Sequence, residues 1–265
     1  MIERLRHELR LFLVALQFLT RVPVPRWAGF QPAWLNASVR HFPLAGACIG
    51  LFAALVLALG EWLFTPLVAA LLSTGATVWL TGAFHEDGLA DTCDALGGAV
   101  DRERALEIMK DSRIGTYGAV GLVLALGLKA AVLAALPLGS AVAALVLGHT
   151  CSRAAAVALI RWLPYAGNAD RAKAKPLARS ISASGVAVAF GWVVVVALLL
   201  PADEVVVPNQ ILFGVIAAGA AAVLLARVFQ RRLGGITGDT LGATQQLSEL
   251  MLLLAWLALQ RPVMA

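Results

Sequence analysis

A chain of 265 residues that is 60% hydrophobic and only 14% charged is too apolar for an ordinary soluble domain. Its three cysteines, Cys48, Cys93 and Cys151, are odd in number and far apart, which argues against a disulfide framework or a zinc site. The net charge of +5 does not point to nucleic acid, because the basic residues punctuate apolar runs, as topology signals and headgroup contacts do.

The pattern predicts an all-α fold, a polytopic membrane bundle forming one integral membrane domain over residues 1–265 with its active-site loops cytoplasmic. Residues 4–20 mix charged and apolar positions and lack a small-residue cleavage site. They read as an interfacial or re-entrant helix and not as a cleaved signal peptide. About seven transmembrane helices follow, over residues 42–64, 66–85, 117–136, 139–163, 185–200, 211–229 and 240–259. Of the 21 Lys and Arg residues, 18 fall before the first span or in the loops and edges on the same side of the bundle. The opposite loops hold none, and one of them carries Asp203 and Glu204. The positive-inside rule then makes the N-terminus cytoplasmic and the C-terminus external. Lys129 and Arg153 lie within spans, and Arg261 lies in the C-terminal tail.

Polar residues in such a chain need a reason. Directly after the second span comes Phe84-His85-Glu86-Asp87-Gly88-Leu89-Ala90-Asp91-Thr92-Cys93-Asp94, with four carboxylates in nine residues. Asp87, Asp91 and Asp94 are spaced i, i+4, i+7 and share one helix face. Bare, they repel; a divalent cation removes the repulsion, and hard oxygen ligands suit Mg²⁺. The plainer alternative is a solvated helix end. Residues 101–110 then read as an amphipathic helix with Leu106, Met109 and Ile108 on its apolar side. The stretch Met109-Lys110-Asp111-Ser112-Arg113-Ile114-Gly115-Thr116-Tyr117-Gly118 offers a glycine turn whose amides can face an anion, with Arg113 able to pair with a phosphate. A helix stop with a juxtamembrane arginine is the plainer reading.

His149 and Arg153, at i, i+4 inside a span, and Gln245 with Glu249, at the same spacing, face either a polar cavity or each other across helices. The basic loop at 168–179 suits a headgroup contact or a topology signal as well as a phosphate. Residues Gly234-Gly235-Ile236-Thr237-Gly238-Asp239-Thr240-Leu241-Gly242-Ala243 open the last span. Asp239 or Thr240 can serve as a helix cap, and the glycines allow a ligand to approach the backbone.

The chain shows no Ser-His-Asp order, Walker sequence or dinucleotide fingerprint. Carboxylates that hold Mg²⁺ beside arginine suit transfer of a phosphate-linked group. With these stretches in order, joined by Phe18-Leu19-Thr20-Arg21-Val22-Pro23-Val24-Pro25 and Phe42-Pro43-Leu44-Ala45-Gly46, the chain resembles the cobalamin synthase (adenosylcobinamide-GDP ribazoletransferase) family over nearly its whole length. The resemblance implies Mg²⁺ dependence and the bacterial inner membrane. It implies that a hydroxyl of α-ribazole, or of its 5′-phosphate, attacks adenosylcobinamide-GDP, releasing GMP and giving adenosylcobalamin or its 5′-phosphate. From the chemistry, Asp87, Asp91 and Asp94 are candidate metal ligands, and Glu86 a ligand or a base. Asp111 and Asp239 are candidate further ligands or substrate-orienting groups. Arg113, with Lys110, Gly115, Gly238 and Thr240, is a candidate for holding the substrate. The partners expected are the two substrates and membrane lipid, with no nucleic acid; a homo-oligomer is left open.

Two rivals stand. A CDP-alcohol phosphotransferase also gathers Asp residues at a membrane face, but Asp87-Gly88-Leu89-Ala90 is followed by Asp91 where that family's pattern has arginine. A secondary transporter would explain Glu249, His149, Arg153 and Lys129 inside spans.

Overall fold

The computed structural model of the chain describes residues 2–29, 31–166, 180–200 and 208–260. Among them every regular element is a helix, and one isolated parallel bridge joins Tyr165 to Ile236. In chain order the helices are α1 (Ile2–Leu19), α2 (Pro32–Ser38), α3 (Phe42–Leu63), α4 (Pro66–Thr81), α5 (Phe84–Gly97) and α6 (Arg102–Ile108). They continue with α7 (Thr116–Ala135), α8 (Leu138–Trp162), α9 (Ala183–Leu199), α10 (Pro208–Leu233) and α11 (Gly238–Ala258). Prolines stand in the first turn of α2, α3 and α4, where a missing N–H costs no helical bond.

The bundle is helical as expected, but it has fewer membrane-length helices than seven. Four stretches among the described residues are long and apolar enough to cross a bilayer: Ala33–Leu63, Thr116–Ala135, Leu138–Trp162 and Pro208–Leu233. The bent pair Pro66–Thr81 and Phe84–Gly97 raises the number to five if it is one span. The physical reasons differ for the three that fall short. The 16 residues of α4 reach about 24 Å, less than the roughly 30 Å hydrocarbon core. The 17 residues of α9 reach about 26 Å. Helix α11 is long enough, but Asp239, Gln245, Gln246 and Glu249 make its first half polar. The loop at 168–179, Asp203, Glu204 and Arg261 lie outside the described residues.

The second predicted span fails for a local reason. Gly82 and Ala83 both adopt left-handed backbone, at φ 69° and 58°. Their amides donate back to the carbonyls of Trp79 and Val78, closing α4, and the chain leaves at 92° as α5. An alanine in this region costs about 1 kcal/mol. Helix α5 consequently runs across one end of the bundle. Its neighbours there are helix ends: the start of α7, the start of α11 and the end of α10, whose Arg232 donates to the Gly98 carbonyl. The remaining polar elements collect at the same end. Helix α6, capped by Asp101 accepting from the Arg104 amide at 2.8 Å, buries Ala105 and Met109. Helix α1 buries Leu11, Val14, Ala15 and Leu19 and is tied down by Glu8, which meets Arg40 at 3.3 Å and His41 at 2.9 Å.

Helix α8 is the central element, with every residue from Ala143 to Ile160 buried. Helix α3 lies hard against it through Gly46 and Gly50, one turn apart. A Cβ at Gly46 would overlap the His149 carbonyl, and one at Gly50 would sit 2.7 Å from the Val146 Cα. Small residues at one-turn spacing let two backbones meet closely where lipid supplies no hydrophobic drive.

This contact gives a stability test with an internal control. Gly46→Leu should separate α3 from α8 and cost several kcal/mol, as overpacking of a tight contact does (about 1–3 kcal/mol or more). Gly75→Ala, at a position with nothing within 4 Å, should be neutral or stabilising by about 0.5–1 kcal/mol. Thermal melts in detergent, followed by loss of monodisperse protein, read both; equal melts for the two variants would contradict the packing.

Candidate active site

The three polar stretches of the sequence meet at the α5 end of the bundle. Gly88 of α5 faces the Asp239 backbone of α11 so closely that a Cβ would lie 2.7 Å from its carbonyl oxygen. Gly242, one turn along α11, faces His85 and the Gly88 Cα in return, with a Cβ meeting them at 3.1 to 3.3 Å. The two helices thus cross backbone to backbone, bringing Asp239 onto the carboxylate face of α5. Asp94 joins the third stretch: its Oδ2 accepts from the Gly115 amide at 2.7 Å and its Oδ1 from the Gly118 amide at 2.8 Å. A carboxylate there satisfies two of the first amides of α7 and complements the positive end of the helix dipole.

Asp87 is exposed, and Asp91, Asp94 and Asp239 are half-buried. Burial first, then the charges of Asp239, Asp87 and Asp94, push the Asp91 carboxyl up to about 7. Asp239, 148 positions away in sequence, thus joins Asp87 and Asp94 of α5 in raising Asp91. Among the described residues no group of three or more His, Cys, Asp or Glu side chains is drawn together as a finished ligand set. The donor chemistry is nonetheless all carboxylate oxygen, the kind that suits Mg²⁺, and its mutual repulsion is the property a cation relieves.

The other predicted residues divide. Asp111 and Arg113 pair locally: Arg113 Nη2 donates to Asp111 Oδ2 at 2.6 Å and Nε to Oδ1 at 3.0 Å. The guanidinium holds the Asp111 carboxyl down to about 2, while the Arg113 side chain stays 86% exposed and open to a further anion. Lys110 and Gly115 are exposed on the same loop. Thr240 is fully buried and its hydroxyl is used in a capping box: it accepts from the Thr237 amide while Thr237 Oγ1 accepts from the Thr240 amide. Gly238 lines a cavity of about 30 Å³ with Phe18, Phe42, Phe84, His85 and Arg153, room for a water or two.

Glu86 is turned inward, 9% exposed. Its Oε1 accepts from Gln246 Nε2 at 2.9 Å, and its buried Oε2 has no hydrogen-bond partner among the described residues. Gln246 also donates to Gln245 Oε1, and Gln245 donates to Glu249 Oε2 at 2.6 Å. Around Glu249 stand Lys129 Nζ at 2.6 Å, His149 Nδ1 at 3.1 Å and Arg153 Nη1 at 3.8 Å. The charges inside the spans therefore close on one another, as a network joining α7, α8 and α11. The i, i+4 pairs were visible in the sequence. The Gln246–Glu86 and Lys129–Glu249 pairs were not drawn from it, although a lone lysine inside a span is itself a signal that an acid faces it.

The fold defines a helical, membrane-type protein with an acidic face gathered at one end of its bundle. The family model for cobalamin-5-phosphate synthase matches residues 11–257, and the chain belongs to that family. An adenosylcobinamide-GDP ribazoletransferase of Leptothrix cholodnii is 56% identical over 258 residues, covering 95% of this chain and 96% of the relative. Proteins of the same name from Polaromonas naphthalenivorans and Vibrio cholerae are 47% and 42% identical, covering 94% and 98% of this chain and 96% and 98% of their own. No solved structure matches the chain.

Two outcomes follow from the site's geometry. Asp94→Ala should free the Gly115 and Gly118 amides, costing about 1–2 kcal/mol; hydrogen exchange at 115–118 should rise, while Asp94→Asn, keeping one acceptor oxygen, should restore part of the protection. Unchanged exchange in Asp94→Ala would refute the clamp. Glu249→Ala should strip the buried Lys129 and Arg153 of their counter-charge and destabilise the bundle by about 3–5 kcal/mol, whereas joint replacement of all three by apolar residues of similar size should recover most of that loss in a detergent melt.

Proposed function

We propose that this chain is a Mg²⁺-dependent transferase that joins α-ribazole, or its 5′-phosphate, to adenosylcobinamide-GDP. GMP leaves, and adenosylcobalamin or its 5′-phosphate is the product. The single observation that carries the reading is the convergence of three distant stretches on one acidic face, Asp94 holding Gly115 and Gly118, and Gly88 holding Asp239. The names of the relatives supply the substrates.

In this reading Asp87 and Asp91 of α5, with Asp239 of α11, hold the cation. Asp94 stands at the edge of the set with both oxygens already accepting amides, and its task is to fix the glycine turn beside it. A bound Mg²⁺ supplies charge neutralisation on the pyrophosphate. Substrate binding opens Glu86 Oε2, buried in the free protein, to the attacking hydroxyl, whose proton it takes, while Gln246 holds Oε1. The new O–P bond forms to the corrin-side phosphorus, and the P–O bond to GMP breaks, the electron pair leaving with GMP. Arg113 exchanges part of its pairing with Asp111 for a phosphate oxygen, and Lys110 and the Gly115 turn line the same approach. Gly238 gives backbone access at the start of α11, and Thr240 keeps that start in shape through its capping box. By the positive-inside rule the site and the N-terminus face the cytoplasm of a bacterial inner membrane.

Purified protein assayed for GMP release tests the reading. Asp87→Asn and Asp91→Asn should each lower turnover at least a hundredfold while leaving membrane insertion intact, since each removes a charge at nearly constant size (about 2.7 kcal/mol of lost stabilisation). Full activity in Asp91→Asn would remove the acidic face from the reaction. Arg113→Lys separates a phosphate clamp from a topology signal: loss of affinity for adenosylcobinamide-GDP alone supports the clamp, and wild-type constants for both substrates refute it.

A further inference from the structure

Between the C-terminal ends of α8 and α10 lies an open groove of about 320 Å³ that the reaction above does not use. Its floor is apolar, formed by Leu163, Val223 and Ala226. At one end stand Arg227, Gln230 and Arg231, and at its rim Trp162, 62% exposed. Val223, Ala226, Arg227, Gln230 and Arg231 fall on one face of α10 by their spacing. Both arginines are exposed, and among the described residues neither makes an ion pair or a hydrogen bond.

The position gives the chemistry. Helix α10 is long and apolar enough to span a bilayer, and its last turn reaches the polar end of the bundle, where Arg232 meets Gly98. In a bilayer spanned by α10 this would put Arg227 and Arg231 at headgroup depth, with Val223 and Ala226 on the side nearer the middle of the span. Tryptophan favours this depth as well. Two guanidiniums and an amide donor suit a phosphate oxygen set. A free phosphate would use the arginines and leave the apolar floor bare. A zwitterionic lipid would bring its own cation against them. Charge and shape together fit an amphiphile with a net negative phosphate head.

We propose that this groove binds one anionic phospholipid, its phosphate held between Arg227 and Arg231 and one acyl chain laid along Val223 and Ala226. The groove is separate from the acidic face, so the proposal stands whatever reaction that face performs.

Lipid-stripped full-length protein in detergent, incubated with phosphatidylglycerol or phosphatidylcholine, tests this by native mass spectrometry. Wild-type protein should retain one phosphatidylglycerol in preference to phosphatidylcholine. Each arginine replaced by glutamine should weaken retention about fivefold, and R227Q/R231Q together roughly twenty-five-fold. R227K/R231K, which keeps the charge, should hold more than the glutamine pair. Val223→Phe, which fills the floor and leaves both arginines, should also lower retention; it keeps the test open if R227Q/R231Q elutes as aggregate. Equal retention by wild-type and a folded R227Q/R231Q protein overturns the proposal. So does equal retention of the two lipids by wild-type, or displacement of phosphatidylglycerol by millimolar inorganic phosphate, which would make the groove a plain anion site.

Discussion

The site depends on one steric fact: α5 and α11 touch where neither has a side chain. At Gly88 the Asp239 backbone occupies the space a Cβ would need, and at Gly242 the His85 carbonyl does the same. A methyl group at Gly88 forces a shift of the facing backbone, and one at Gly242 requires its neighbours to give by a few tenths of an ångström. Asp239 would then retreat from Asp91, and Gln246 from Glu86, because all four are carried on those two helices. The glycines are thus what turns two separate acidic stretches into one face.

A second constraint orients that face. The chain turns through 92° at Gly82 and Ala83, so α5 lies across the bundle end and does not continue α4. Without the turn, Glu86, Asp87 and Asp91 would run on along the line of the span. Ala83 holds a backbone conformation that L-residues avoid, at about 1 kcal/mol. The cost is offset by what the turn permits: Asp94 reaches the amides of Gly115 and Gly118, and α10 and α6 lock onto the same end through Arg232 to Gly98 and Arg102 to the Leu233 carbonyl at 2.7 Å.

These particulars show what could be read from the sequence. The shared face of Asp87, Asp91 and Asp94 follows from spacing alone, as do the His149–Arg153 and Gln245–Glu249 pairs, because each lies within one helix. The helical class and the apolar stretches now in α3, α7, α8 and α10 follow from hydropathy. The turn at Gly82–Ala83 was not legible, since both residues and the Phe84 after them are apolar and carry a hydropathy run straight through the bend. The short α4 and α9 passed as spans for a related reason: an apolar run states composition, while the helix ends that fix its length depend on local backbone geometry. The engagement of Asp94 with the α7 amides, and of Glu86 with Gln246, joins residues 21 and 160 positions apart, which no local periodicity encodes.

The buried charges also set an order of assembly. Lys129 and Arg153 sit in α7 and α8, while Glu249, the carboxylate within 4 Å of both, arrives with α11, some hundred residues later in the chain. As the polypeptide emerges from the ribosome, the two earlier helices carry cations into the lipid before Glu249 is there to pair with them, and unpaired charge within a span is costly. They can settle only when the later helix slides between them. The packing of α11 that pairs these interior charges is also what brings Asp239 and Gln246 to α5. A nascent chain that has inserted its earlier helices is thereby kept without a finished acidic face until α11 has been made.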